Sequence, residues 1–143
     1  MTKTKQAAIV VGARLPSLTL PAVNRSTLAL FAGASGDHNP IHIDIDFARK
    51  AGMPDVFAHG MLGMAWLGRL LTNWMPQARL RQWNVRFLGI TQVGHVITCA
   101  GVVRDIVELN GECVAVVSVQ ATNQYGEVRI AGEAMVAFPE TKD

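Results

Sequence analysis

The stretch His59–Met75 reads HGMLGMAWLGRLLTNWM, and its only strongly polar side chains are His59, Arg69, Thr72 and Asn73. A helix of that composition is apolar nearly all round and must be covered by the rest of the protein. It is too short, and too interrupted by Arg69, to cross a bilayer, which takes about 20 mostly apolar residues. After it the period changes. Trp83, Val85 and Phe87 alternate with Gln82, Asn84 and Arg86, the two-residue repeat of a half-buried strand. Cys113, Ala115, Val117, Val119 and Ala121 share one face of another strand, and Val128, Ile130, Ala134, Val136 and Phe138, with Gly132 among them, share one face of a third. His95–Glu108 completes the meander, although its faces are less cleanly separated. Asn110–Gly111 and Tyr125–Gly126 supply the hairpin turns. One apolar helix followed by an antiparallel meander has one economical packing, an α+β architecture in which the sheet wraps around the helix. Such a sheet leaves strand edges open, and open edges commonly pair across a two-fold axis, so a dimer is expected.

Upstream, residues Leu18–Val23 read as a short strand, and Asn24 or Ser26 caps a helix over Thr27–Ala34 that stops at Ser35–Gly36. A polar loop, Asp37–Asp46, leads to a short helix over Phe47–Ala51, then to Gly52 and a turn at Pro54–Asp55. No repeat or linker divides the 143 residues, so residues 1–143 read as one domain. At 50% hydrophobic and 17% charged, the chain can bury a core without disulfides or metals. Its net charge is +2 and no run of Lys or Arg exceeds two residues, which gives nucleic-acid binding no support. The start, MTKTKQAAIVVGARLP, has an apolar stretch, Ala7–Val11, too short for a secretory signal, so a cytoplasmic protein is expected. Cys99 and Cys113 lie in strand-like segments and read as small buried hydrophobes, not as a bridge.

Chemistry concentrates in DHNPIHIDID, where Asp37, His38, His42, Asp44 and Asp46 crowd together. Asp37 and His42 are five positions apart and would diverge by about 140° on a continuous helix. Pro40 prevents that helix, because it lacks an N–H and pushes Asn39 out of the helical region. The break lets Asp37 and His42 project into one pocket, and a carboxylate and an imidazole sharing one water form a general acid/base pair. The structural alternative is that Asp37 caps a turn and His42 satisfies a buried carbonyl. Downstream, the His59–Gly60–Met61 helix start offers N–H groups without internal acceptors at the positive end of the dipole, a ready oxyanion hole. Gly60 lets a carbonyl approach the backbone unobstructed.

Residues 31–61, FAGASGDHNPIHIDIDFARKAGMPDVFAHGM, closely resemble the hydratase motif of the MaoC-like, (R)-specific enoyl-thioester hydratase/dehydratase family, whose fold is the hot-dog. The resemblance in order of elements extends over nearly the whole chain. It implies reversible addition of water to a trans-2-enoyl thioester, giving an (R)-3-hydroxyacyl thioester. Asp37 and His42 would activate the water, and the Gly60 amide would polarise the thioester carbonyl. Asn39 would shape the loop and orient the pair. Asn39, Phe57, His59 and Met61 are the residues expected beside the substrate, with His59 capping or orienting the helix start. Phe57, Met61, Met64 and Trp66 are candidate walls of an acyl tunnel, although core packing is the stronger account of each. No cofactor is implied, since coenzyme A or phosphopantetheine belongs to the substrate.

One position departs from the pattern: many homodimeric members carry a serine about eight residues after the oxyanion glycine, where this chain has Gly68. That places one hydrogen bond of the site in question. With the short length, it makes the chain resemble the catalytic subunit of heterodimeric actinobacterial dehydratases, so the partner is a second copy or a related hot-dog subunit. Two other readings stand beside hydration: a hot-dog thioesterase, and a non-catalytic subunit of a hydratase complex. The acidic loop matches no zinc spacing and lacks the glycine and final glutamate of a calcium loop, so no metal is expected. His38 reads as solvent-exposed and His95 carries no signal. Arg81, Arg86 and Arg104 could meet the phosphates of a carrier or simply solvate the sheet.

Overall fold

The computed structural model describes residues 8–140; Lys3, Lys5 and Ala7 lie outside them. The elements in order are β1 (Leu18–Thr19), α1 (Arg25–Ser35), α2 (Ile45–Lys50), α3 (Gly60–Trp74), β2 (Leu80–Phe87), β3 (Thr98–Leu109), β4 (Glu112–Thr122) and β5 (Val128–Phe138). All strand pairs are antiparallel, in the order β1-β3-β4-β5-β2. The hairpins β3–β4 and β4–β5 follow the chain, whereas β2 lands on the far edge beside β5. Asn110 and Gly111 both take positive φ, 50° and 78°, the conformation that a tight hairpin turn matching the strand twist requires.

The sheet curls around α3. Leu67, Leu70 and Leu71 pack with Val103, Val117, Val119 and Val136 in one core. On β4, Ala115, Val117, Val119 and Ala121 are buried in the core; on the opposite face Ser118 and Gln120 are exposed while Val114 and Val116 are buried. The helix itself is covered less completely than its composition implies. Met61, Ala65, Arg69 and Thr72 form an exposed stripe, because a single sheet can wrap only part of a helix. β2 runs beside α3 with its aromatic rings set on glycines. A Cβ at Gly60 would fall 3.1 Å from Phe87, and one at Gly68 would fall 2.9 Å from the indole of Trp83. The space beside Gly68, where the resemblance leads one to expect a serine, is therefore occupied by Trp83.

Three local boundaries differ from the expected ones, each for a readable reason. The expected strand over Leu18–Val23 is a regular ladder only at Leu18–Thr19; Pro21 has no N–H to continue it, and isolated bonds at Leu20 and Val23 carry the pairing on. The helix expected at Thr27 begins at Arg25, because Asn24 is the residue that caps it, accepting from Thr27 N at 2.8 Å. The loop expected over Asp37–Asp46 contains a 3₁₀ turn at Pro40–His42, and α2 then starts at Ile45 instead of Phe47. Cys99 and Cys113 are unbridged, and burial pushes the Cys99 thiol up to about 11, so it is not a nucleophile. Among the described residues no helix is long and apolar enough to cross a membrane.

Candidate active site

α1 ends at Gly36, whose left-handed backbone (φ 76°) returns its N–H to Ala32 O at 3.0 Å. The chain leaves the helix at Asp37, and two side-chain turns follow in succession. Asp37 Oδ1 accepts from Asn39 N at 3.2 Å, and Asn39 Oδ1 accepts from Ile41 N at 3.1 Å. Pro40 occupies the first position of the 3₁₀ turn, where a missing N–H costs nothing. The turn delivers His42 onto the strand-like segment before α3, where its Nδ1 donates to Phe57 O at 2.7 Å. A carbonyl can only accept, so the neutral ring carries its proton on Nδ1 and presents Nε2 as a free base. Both structural roles foreseen as the alternative are present, the turn at Asp37 and the carbonyl at His42. Neither consumes the group that chemistry would use.

His59 joins these two. It is 2% exposed and stands at the N-cap position of α3. Expected to cap or orient the helix, its side chain makes no cap hydrogen bond. Nε2 donates to Asp37 O at 3.1 Å, and the ring stacks on His42 with centroids 3.9 Å apart and planes at 26°. Phe31 of α1 meets its edge at 4.9 Å. Burial holds the His59 pKa below the ordinary 6.5. The Asp37 carbonyl opposes that shift, the neighbouring His42 adds to it, and the Asp37 charge opposes it. The imidazole is therefore neutral in the folded protein and protonates more readily when unfolded. Its contribution to stability is complete above pH 6.5 and is lost as pH falls toward the depressed folded value. Melting temperature is expected to fall on acidification from neutrality to about pH 5, and His59→Phe to flatten that slope. His95, also lowered chiefly by burial, retains part of it. An unchanged slope in the variant would assign the acid sensitivity elsewhere.

A cavity of about 320 Å³ opens beside this cluster, between the start of α3 and residues 87–91, with His42, Phe57 and Ile130 in its lining. Its size is at the lower end for small-ligand sites, about 300–1,000 Å³. Gly60 and Gly63 bare the helix toward it. The opposite wall is tied down by main chain: Leu88 N and Gly89 N both bond Arg129 O, at 2.8 and 3.2 Å, and Ala58 N bonds Thr91 O at 2.9 Å. The first amides of α3 have no acceptor one turn back, so the cavity meets the positive end of that helix. Two imidazoles and the helix N-terminus thus converge on one small apolar space, with the Asp37 carboxylate outside the lining but within 4.8 Å of a nitrogen of each ring. Such a set can move a proton and stabilise an oxyanion at once.

Phe57, His59 and Gly60 line the cavity. Asn39 lies in the turn that sets His42. Met61 does not line the cavity and is 58% exposed; Trp66 is buried in the core and Met64 is half-buried, both outside the lining. The 100° step of the helix explains this, since Gly60 and Gly63 take the cavity face and rotate Met61 away. Asp44 and Asp46 belong to α2: Asp44 Oδ1 caps Asp46 N and Phe47 N, and Asp46 lies in the first turn. His38 is exposed. Arg81 makes a two-pronged pair with Glu112, both contacts at 2.7 Å, and Arg104 pairs with Glu133, whereas Arg86 is exposed. Residues 88–91, Gly63 and Ile130 carried no sequence signal of a site; only the glycine at the third position after Gly60 could have pointed to a bared face.

Asp37, His42 and His59 each bring one ligand-type atom within 4.8 Å of the others. A metal would have to lie in both ring planes at about 2 Å from each nitrogen, which two stacked rings do not allow. The cluster suits a shared water instead.

The MaoC like domain model matches residues 10–125. The (R)-specific enoyl-CoA hydratase of Rhodospirillum rubrum is 29% identical over 119 residues, 82% of this chain and 81% of that protein. A solved structure, the unliganded R-hydratase PhaJ1 from Pseudomonas aeruginosa, superposes with a TM-score of 0.81 over 94% of this chain and 85% of that one, at 26% identity. The likeness makes the sheet wrapped around α3 a hot-dog fold. A fatty acid synthase subunit beta from Saccharomyces cerevisiae is 27% identical over 89% of this chain, which spans only 6% of that protein's length. With four-fifths of its residues under the family model and a fold that superposes on a solved R-hydratase, the chain belongs to the MaoC-like domain family.

Proposed function

We propose that the protein catalyses reversible hydration of trans-2-enoyl thioesters of coenzyme A or acyl carrier protein to (R)-3-hydroxyacyl thioesters. The observation that carries this reading is His42, its Nδ1 committed to Phe57 O, at a cavity bordered by the first turn of α3 and with an Asp37 carboxylate oxygen within 4.8 Å of a ring nitrogen. Asp37 and His42 hold one water between them. As its oxygen bonds to C3 of the enoyl group, the breaking O–H bond gives its proton to the pair. The C2=C3 electron pair moves into the thioester, whose oxygen becomes an enolate facing the Gly60 amide. C2 then takes a proton from the pair, and the carbonyl re-forms. Loss of one such backbone donor costs about 3–4 kcal/mol in the barrier. The same groups run the reaction backward, so hydration and dehydration share one transition state.

An acyl chain longer than this cavity needs further walls. Phe87, Leu88 and Ile90 lie at its lining yet are 52%, 57% and 40% exposed, and β2 has one unpaired edge. A second hot-dog subunit, either another copy or a related chain, covers that rim in our reading. Coenzyme A and carrier thioesters are intracellular, so the proposal carries a cytoplasmic location with it. The test is loss of enoyl absorbance when purified protein meets crotonyl-CoA, with a free-thiol assay alongside. Hydration without thiol release is the expected result. Thiol release without hydration would make the protein a thioesterase, and inertness toward several chain lengths would end the self-sufficient reading.

A further inference from the structure

We propose that His59 is the positioning residue of the acid/base pair, one buried ring that fixes the Asp37 backbone and the plane of His42 together. The inference rests on the hydratase reading and concerns what makes its geometry hold. Asp37 is exposed and His42 half-buried, so neither is locked by core packing of its own. His59 is buried, donates through Nε2 to Asp37 O, and presents its ring face to His42. Phe31 fixes its edge to α1.

The bland accounts of this histidine do not fit. A helix cap is a short side chain that turns back on its own amides, and His59 makes no such bond. A core filler would be apolar, and would not bury a ring nitrogen, Nδ1, that has no hydrogen-bond partner. Leaving a buried acceptor unsatisfied is destabilising. An imidazole is needed because it stacks flat on another imidazole while donating an N–H in its own plane. Moreover, His59 immediately precedes Gly60. The residue that holds the acid/base pair is bonded directly to the residue whose amide faces the enolate, so the three working parts are held as one body.

Two substitutions separate the functions of the ring. His59→Phe keeps the stack and loses the donor; His59→Gln keeps a donor and loses the stack. With crotonyl-CoA, His59→Phe is expected to lower kcat about 100-fold, the cost of misplacing reacting groups by about 1 Å. KM should change far less than kcat, since Phe fills the same place in the cavity lining. His59→Gln should recover about tenfold of the lost rate by restoring the bond to Asp37 O. A His59→Phe enzyme with wild-type kcat would overturn the proposal, and so would equal losses in both variants that track their melting temperatures. A second readout does not depend on turnover. Nitrogen-15 imidazole spectra should show His42 as the Nδ1–H tautomer in the wild type and in His59→Phe, where the stack remains, and as a tautomer mixture in His59→Gln, while the Asp37 amide shifts in His59→Phe. If the wild type hydrates no enoyl thioester, the hydratase reading fails by itself. An unchanged Asp37 amide in His59→Phe together with unchanged His42 signals in His59→Gln would then overturn the positioning role separately.

Discussion

Asp37→Asn is expected to slow hydration of crotonyl-CoA by about 10³-fold, within the range that a positioned acid/base group contributes. The substitution is chosen because it removes charge and basicity while sparing the loop. Asp37 Oδ1 accepts the Asn39 N–H at 3.2 Å, and an amide oxygen can accept the same bond. The following turn, capped by Asn39, and the His42 Nδ1–H bond to Phe57 O should therefore survive. Circular dichroism and melting temperature should match the wild type, and KM should change little. A factor of 10³ corresponds to about 4 kcal/mol of transition-state stabilisation. Retention of more than about a tenth of the wild-type rate would remove Asp37 from the chemistry. Asp37→Ala would be a poorer probe, because it deletes the turn acceptor as well.

The largest structural effect is expected at Gly132. It pairs with Val119 on one side and Val85 on the other, and the β2 backbone passes directly over it. A Cβ there would clash with the Asn84 carbonyl oxygen and lie 2.7 Å from Val85 Cα and 2.9 Å from Asn84 C. These are main-chain atoms that cannot rotate aside, so Gly132→Ala must push β2 off β5. The expected destabilisation is about 3 kcal/mol or more, at the upper end for overpacking, which for a chain of this size lowers the melting temperature by roughly 10 °C. Activity should fall further than stability, since β2 ends in Phe87, a wall of the cavity. Gly101→Ala is the control: its Cβ would meet only the side chains of Leu15 and Val117, both at 3.2 Å, with Val119 at 3.5 Å. Equal melting temperatures for the two variants would contradict the backbone clash.

Much of the site was written locally. Pro40 forces the break that turns His42 away from α1, and Asn39 and Asp37 carry their own turn acceptors. The acidic residues Asp44 and Asp46 proved to be a cap and a first-turn charge of α2. Sequence spacing cannot separate that duty from catalysis, since both place carboxylates in a loop before a helix. Met61 and Trp66 were candidates for the cavity wall because apolar side chains on a helix do not declare which neighbour they will meet. The side facing the cavity is the one stripped to glycine, at Gly60 and Gly63, and there the missing side chain was the signal.

By itself the sequence determined the long apolar helix, the period-two strands, the hairpin at Asn110–Gly111 and the pairing of Asp37 with His42. Each is a matter of short-range periodicity, steric restriction or turn chemistry within a few residues. Only the tertiary structure decided that β2 lies at the sheet edge with Trp83 filling the notch at Gly68, and that residues 87–91 form the second wall of the cavity. It also decided that His59 is a ring stacked beneath His42, not a cap. Those features are contacts between segments far apart in the chain. Their energies depend on how side chains interlock after the sheet has curled around α3, and no local pattern of residue types encodes that geometry.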